Sequence, residues 1–364
     1  MTPFAFNEEH LSQIPALRLL ISLGYEYVPP LRALALRNGR FGNVILEDVL
    51  RRQIKRINRI SHKGGEYLFS EENVQSAIQQ LKSVNFDGLQ RTNEAVYDLL
   101  TLGTTLEQAI EGDSRSFNLA YIDWAQPDNN VFHVTAEFSV ERMRSVETAR
   151  PDIVLFVNGI PFAVIECKSP STELAQAISQ QIRNQSLEYI PHLFIFTQLL
   201  LAVNKNEARY ATVGYSAPFW GLWRESDDDV AAVSSAVNAG LTAKQVDALY
   251  SGEFAGARTR FDEADAAGPR GVTAQDEALY RLCRPQRLLE LAYRFTLFEG
   301  GEKRIARYQQ YFVTKSALAR VKRIDETGAR SGGMVWHTQG SGKSLTMVML
   351  ARNLALDPDI ASPR

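Results

Sequence analysis

Hydrophobic positions along this chain change their period as it proceeds. Leu11, Ile14, Leu17, Leu20 and Ile21 recur at helical spacing and predict a helix over 7–23, with Pro15 marking its first firm turn. Leu46, Val49, Leu50, Ile54 and Ile57 make the clearest amphipathic stripe, over 43–60. Ser70 opens a further helix that buries Val74, Ala77, Ile78 and Leu81, and another runs from Thr92 to near Gly103. Strand text then takes over: 118–124, 131–140, Ile153–Val157 and Ile160–Ile165, with a turn cluster at 127–130. A helix carrying Gln185 and an apolar strand over 193–203 follow. The order describes one mixed α/β unit, a sheet flanked by helices.

The last two strands are joined at Asn158-Gly159 and read as a β-hairpin. Its polar exceptions stand at the ends: Asp152 before the first strand, Glu166 and Lys168 at the close of the second. Alternation puts Glu166 and Lys168 on one face and Cys167 on the other. Two carboxylates and a lysine beside an apolar ribbon are costly unless a divalent metal uses them. For Asp152 and Glu166 to share that metal, paired residue numbers must sum to an even value, which requires a three-residue loop or a bulge. A three-residue loop at Val157-Asn158-Gly159 is expected. Oxygen ligands of this kind hold Mg²⁺, and Lys168 would orient an attacking water or stabilise charge on a phosphate.

Pro151-Asp152 with Glu166-Cys167-Lys168 resembles the PD-(D/E)xK nuclease signature, and Gln185-Ser-Leu-Glu-Tyr189 resembles the QxxxY motif of its RecB-like branch. At i and i+4 of a helix, Gln185 and Tyr189 would share a face. The resemblance implies that an early-helix glutamate, Glu8 or Glu9, assists the metal, although acidic residues suit a helix start in any case. Arg51, Arg52, Lys55, Arg56 and Arg59 form a basic outer face on the 43–60 helix, either solvated or a phosphate track.

A second chemical centre stands near the end, Trp336-His-Thr-Gln-Gly-Ser-Gly-Lys-Ser344. A glycine loop between a strand ending at Val335-Trp336 and a helix over 345–356 would aim backbone N–H groups at phosphates. Thr338, Gly340, Ser341 and Gly342 build the loop; Lys343 would meet the β- and γ-phosphates of ATP, and Ser344 a Mg²⁺ ion. Histidine replaces glycine at 337, the form that resembles superfamily 2 motors. Upstream, Gln309 and Gln310 resemble the glutamine motif that reads adenine, with Gln310 the better spaced.

Taken together, the chain resembles the restriction (HsdR) subunit of type I restriction-modification enzymes. That implies Mg²⁺-dependent cleavage of unmodified double-stranded DNA, ATP-driven translocation in the full enzyme, and methyltransferase and specificity subunits as partners. The expected architecture is an α/β mixed-sheet nuclease domain at 1–225, a mobile connector at 226–275, and the truncated beginning of a P-loop RecA-like motor at 276–364. No later motor motif follows, so weak ATP binding and negligible turnover are expected. The alternatives are a repair nuclease–helicase fragment, or a nucleotide-binding motor fragment with an inactive nuclease domain.

Composition narrows the picture further. The net charge of −2 provides no global basic field, so nucleic acid must be held by local patches. Two cysteines make no disulfide framework and fit a reducing cytoplasm. No apolar run reaches the roughly 20 residues of a membrane helix. Aromatics over 204–230, among them Tyr210, Tyr215, Phe219, Trp220 and Trp223, are expected to pack between domains.

Overall fold

Six strands form one mixed sheet: β1 (Glu26–Tyr27), β2 (Phe132–Ala136), β3 (Ile153–Val157), β4 (Ile160–Cys167), β5 (Leu199–Val203) and β6 (Ala208–Ala211), adjacent in that order. The computed structural model describes residues 9–225, 229–324, 326, 328, 330–336 and 338–360. Strands β1/β2 and β4/β5 pair parallel; the other neighbours are antiparallel. Every residue of β3, β4 and β5 is buried, which is why these segments read as continuous apolar runs rather than alternating ones.

Helices Ile14–Ser22, Glu47–Ile57 and Leu174–Asn184 present the apolar stripes that cover the sheet. The helix Glu71–Lys82 is capped by Ser70, whose side chain accepts the N–H of Asn73. Helix Leu89–Leu102 carries Asn93 inward, where its amide donates to three carbonyls of the 194–197 turn.

Several elements depart from the expected ones. Of residues 118–124 only Asn118 and Leu119 lie in a strand. The pairing lies upstream, in a hairpin Thr104–Ile110/Asp113–Leu119 whose turn, Glu111-Gly112, has positive φ at both positions. The stretch 193–203 divides, because Pro191 starts a short helix, Pro191–Phe194, and pairing resumes only at Leu199. The 230–267 segment is not a loose connector. It holds helices Val230–Val237, Ala243–Leu249 and Arg258–Ala267; the segment buries Val233, Leu249, Tyr250 and Phe254, and Ser22 and Arg18 bond to Ala236 and Asp265. Its alanines are helix formers, and its few large apolar residues suffice to dock it.

Thr273 and Asp276 form a capping box on helix Ala274–Cys283, and Pro285 starts the next helix, Pro285–Arg294. Gln275 bonds to Ser12 and Cys283 O accepts from Tyr25, so this helix lies against the sheet unit. A small hairpin, Thr296–Glu299/Glu302–Ile305, leads to helix Tyr308–Lys322, which packs beside Lys343–Ala355. Trp223 rests against Tyr210 on one side and Tyr311 and Phe312 on the other, so this aromatic residue joins β6 to helix Tyr308–Lys322. Val335 and Trp336 end no strand. Ser331 and Gly332 bond to Arg323 and Arg320, but no described residue forms a strand ladder with 331–336, and Met334 and Trp336 are each 87% exposed. No helix among the described residues is long and apolar enough to cross a membrane.

Candidate active site and phosphate loop

The β3–β4 connection is a two-residue turn, not the expected three-residue loop. Val157 pairs with Ile160, and Asn158 and Gly159 have φ of 52° and 84°. Tertiary contacts select it. The Asn158 side chain is buried and bonds to Val131 N, Tyr121 O and Asn130. A Cβ on Gly159 would stand 2.6 Å from Leu46 O. The register is corrected further along. A bulge between Pro161 and Ala163 changes the paired sums from odd to even, so Ile165 faces Ile153. Continued one residue, that register sets Glu166 opposite Asp152.

The contacts at this strand end agree with the register. Asp152 Oδ2 accepts the N–H of Cys167 at 2.7 Å and lies 3.9 Å from Lys168 Nζ, which donates to Cys167 O at 2.9 Å. Glu166 is fully buried, and its Oε2 accepts from Gln180 Nε2 at 2.7 Å. Gln13 donates to both Asp152 O (3.0 Å) and Glu137 Oε1 (2.9 Å). Burial pushes the Glu137 carboxyl above its ordinary range; the Gln13 bond opposes this and the Asp152 charge adds to it. Glu137 also holds a positive φ of 49°, a strained backbone for a residue with a side chain.

Of the residues expected here, Asp152 and Lys168 come within 3.9 Å of each other, and Glu166 stands one residue beyond the last printed pair of the same ladder. Gln185 and Tyr189 do not share a helix face, because the helix ends at Asn184. Gln185 bonds to Gln181 O and Gly214 N, bracing the chain. Tyr189 lies between Arg142 and Arg183, whose guanidinium carbons are 4.3 and 5.0 Å from its ring. Glu8 lies outside the described residues, and of Glu9 only the backbone, in a π-helical turn, is described. Sequence reasoning missed Gln13, Glu137 and Gln180. Two cues were present: Gln13 precedes the first apolar helix, and Gln180 is one helix downstream of Glu166.

The donor chemistry fits a hard divalent cation: carboxylate oxygens at one strand end with an ammonium beside them. Among the described residues no three His, Cys, Asp or Glu side chains group to hold an ion. The basic face of helix Glu47–Ile57 stands elsewhere. Its start is tied to the hairpin tip by Leu46 N to Gly159 O, the opposite end of β4 from Glu166. Arg51 and Lys55 are drawn to Gln75 and Glu71.

The phosphate loop has the required backbone. Gly340 and Gly342 hold φ of 77° and 79°, and Gly342 caps the 13-residue helix Lys343–Ala355. Ser341 bonds back to Thr338 O, and Lys343 and Ser344 are exposed. Gln310 is buried against the loop. Its Nε2 donates to Gly342 O (3.2 Å) and its Oε1 accepts from Arg307 N (2.9 Å). In this arrangement Gln310 braces the loop, and both halves of its amide are already engaged. Gln309 is exposed. A cavity of about 210 Å³ adjoins the loop, walled by Tyr215, Phe219, Arg304, Arg307 and Gln310.

Comparison with known proteins gives two family matches. The family described as type I restriction enzyme R protein N terminus matches residues 5–219, and that described as SWI2/SNF2 ATPase matches 309–363. Over 98% of its length the chain is 26% identical to the putative type I restriction enzyme MjaIXP endonuclease subunit of Methanocaldococcus jannaschii, covering 32% of it. It is likewise 26% identical, over 98% of its length, to the type I restriction enzyme HindI endonuclease subunit of Haemophilus influenzae, covering 31%. The chain thus spans about a third of the length of these curated relatives.

Proposed function

The chain belongs to the type I restriction enzyme R protein N-terminus family, and from that premise we propose that it carries the DNA-cutting chemistry of a restriction subunit. The reading divides it into a PD-(D/E)xK nuclease domain (1–225), a connector (226–275) and the first segment of an ATP-dependent motor (276–364). In the assembled enzyme it would act on unmodified double-stranded DNA beside methyltransferase and specificity subunits, with cleavage coupled to translocation. The observation that carries this reading is the bulge in β4, which turns Glu166 and Lys168 toward Asp152.

Asp152 and Glu166 would hold Mg²⁺, which supplies Lewis acidity and a more acidic bound water. The protein's own contribution is positional. The Cys167 N–H holds Asp152 Oδ2 and so sets the orientation of that carboxylate. Gln180 orients the Glu166 carboxylate in the same way. Lys168, anchored on Cys167 O, carries the positive charge that would steady a phosphate oxygen as negative charge builds on it. Glu137 and Gln13 position the Asp152 backbone from the other side. At the second centre, Lys343 and Ser344 would meet ATP phosphates at the helix N-terminus, with the base beside Tyr215 and Phe219.

Asp152→Ala and Lys168→Ala, each assembled with the methyltransferase and specificity subunits, test the proposal. Each should lower DNA cleavage by at least about 10²-fold and leave ATP binding intact. Cleavage at the wild-type rate in both would overturn the nuclease reading and leave only a nucleotide-binding motor segment.

A further inference from the structure

We propose that a cleft between the Trp124–Pro127 turn and helix Pro285–Arg294 binds the phosphodiester backbone of nucleic acid, apart from both centres described above. The proposal rests on the DNA-cutting reading for the identity of its ligand. The cleft encloses about 520 Å³ and is lined by Arg284, Arg287, Arg294, Glu290, Trp124 and Tyr293. Arg287 and Arg294 stand seven apart on the helix and share a face, and Arg284, its extended N-cap residue, lines the same cleft.

Their charges are unequally matched. Arg287 is paired with Glu225. Glu290, the acid on this face, is already bonded to the Tyr311 hydroxyl and to Lys315. Among the described residues neither Arg284 nor Arg294 is in an ion pair. Arg284 lies over the Tyr280 ring at 4.3 Å, and Arg294 donates to Leu356 O at 3.2 Å. Both are half-buried. The Arg294 charge reaches Asp357, which Lys322 already pairs, and Arg284 has the Tyr280 ring beside it. Cations drawn partly out of water without a direct ion pair are unfavourable, and an anion entering the cleft would relieve that cost.

The aromatic groups decide what kind of contact is made. Trp124 and Tyr293 stack on each other at 4.7 Å and 14°, and the indole N–H is committed to Leu100 O at 2.8 Å. The stacking surfaces are turned on one another, leaving charge as what the cleft offers. Such a surface holds backbone phosphates and does not read bases. It also bridges two parts of the molecule. Gln286 bonds to Asp128 of the sheet unit at 3.0 Å, while Arg294 reaches the end of the phosphate-loop helix.

The test is equilibrium binding of the full chain to fluorescent duplexes of two unrelated sequences, over a range of salt concentrations. Arg284→Gln/Arg294→Gln should bind both duplexes about tenfold more weakly at roughly 0.1 M salt. It should also flatten the plot of log K against log salt by about 2, from about 0.9 per phosphate contact. Arg284→Lys/Arg294→Lys should keep the wild-type slope. Arg284→Gln alone, which removes no side-chain hydrogen bond among the described residues, should flatten it by about 1 and guards against misfolding of the double variant. A wild-type chain that binds no DNA would defeat the DNA-cutting reading itself. Wild-type binding with unchanged slopes in the glutamine variants would defeat the cleft alone. Loss confined to one sequence, or loss of ATP binding in place of DNA binding, would equally overturn it.

Discussion

Two apolar segments of this chain lead into glycine-bearing turns and reach opposite ends. Ile153–Val157 and its partner β4 lie between strands on both sides, and every side chain is buried. Met334–Trp336 leads into Gly340 and Gly342 yet pairs with nothing described and stays in solvent. Hydrophobicity alone therefore does not make a strand. A strand needs neighbours that accept its N–H groups and donate to its carbonyls, because an unpaired backbone is better left in water. The glycines differ in the same way. Gly159 is fitted against Leu46 O, while a Cβ on Gly340 would meet nothing within 4 Å.

Four substitution sets can break or sharpen that contrast. The largest effect is expected at tryptophan. Trp223, 6% exposed, should cost about 3–5 kcal/mol as alanine in chemical denaturation. Trp336→Ala should stay within about 0.5 kcal/mol, and an equal loss at both would mean that 331–336 is packed after all. Next, Gly159→Ala combines a positive φ with a backbone clash and should cost about 3 kcal/mol. Gly340→Ala carries only the conformational penalty, about 1 kcal/mol.

A third effect depends on pH. Burial lowers the His192 imidazole to about 4, so the folded chain binds fewer protons there than the unfolded chain between that value and 6.5. Stability from this group is full above pH 6.5 and falls as pH drops toward 4, by about 2 kcal/mol at pH 5. His192→Leu should flatten the acid limb of a denaturation–pH profile; an unchanged limb would place the sensitivity at other groups. The smallest effect is at Lys343. Exposed at the start of its helix, it should as alanine lose roughly tenfold in nucleotide affinity by titration. Its melting temperature should not change measurably.

Much of the architecture is legible in the order of residues alone. The helical stripes, the buried hairpin with acids and a lysine at its ends, and the glycine loop leading into a helix all follow from local pattern. So does the requirement that Asp152 and Glu166 share a face. What the pattern leaves open is which device satisfies it, a longer loop or a bulge. The 104–119 hairpin escapes such a reading because its turn, Glu111-Gly112, lacks a strong turn signature and its strands are half-exposed. The expected Gln185–Tyr189 face fails because the helix stops at Asn184, a boundary that spacing does not reveal.

The chain by itself determined which residue types stand at each strand end and which segments are apolar enough to be covered. These are local properties, set by side-chain chemistry and by the period of two or 3.6. Only the tertiary structure decided that Gln180 would meet the Glu166 carboxylate, that Gln13 and Glu137 would meet the Asp152 carbonyl, and that Gln310 would bind the loop beside it. It also decided that Arg284 and Arg294 would face one cleft. Each of these meetings joins elements separated along the chain, and packing and register, which no local period encodes, bring them together.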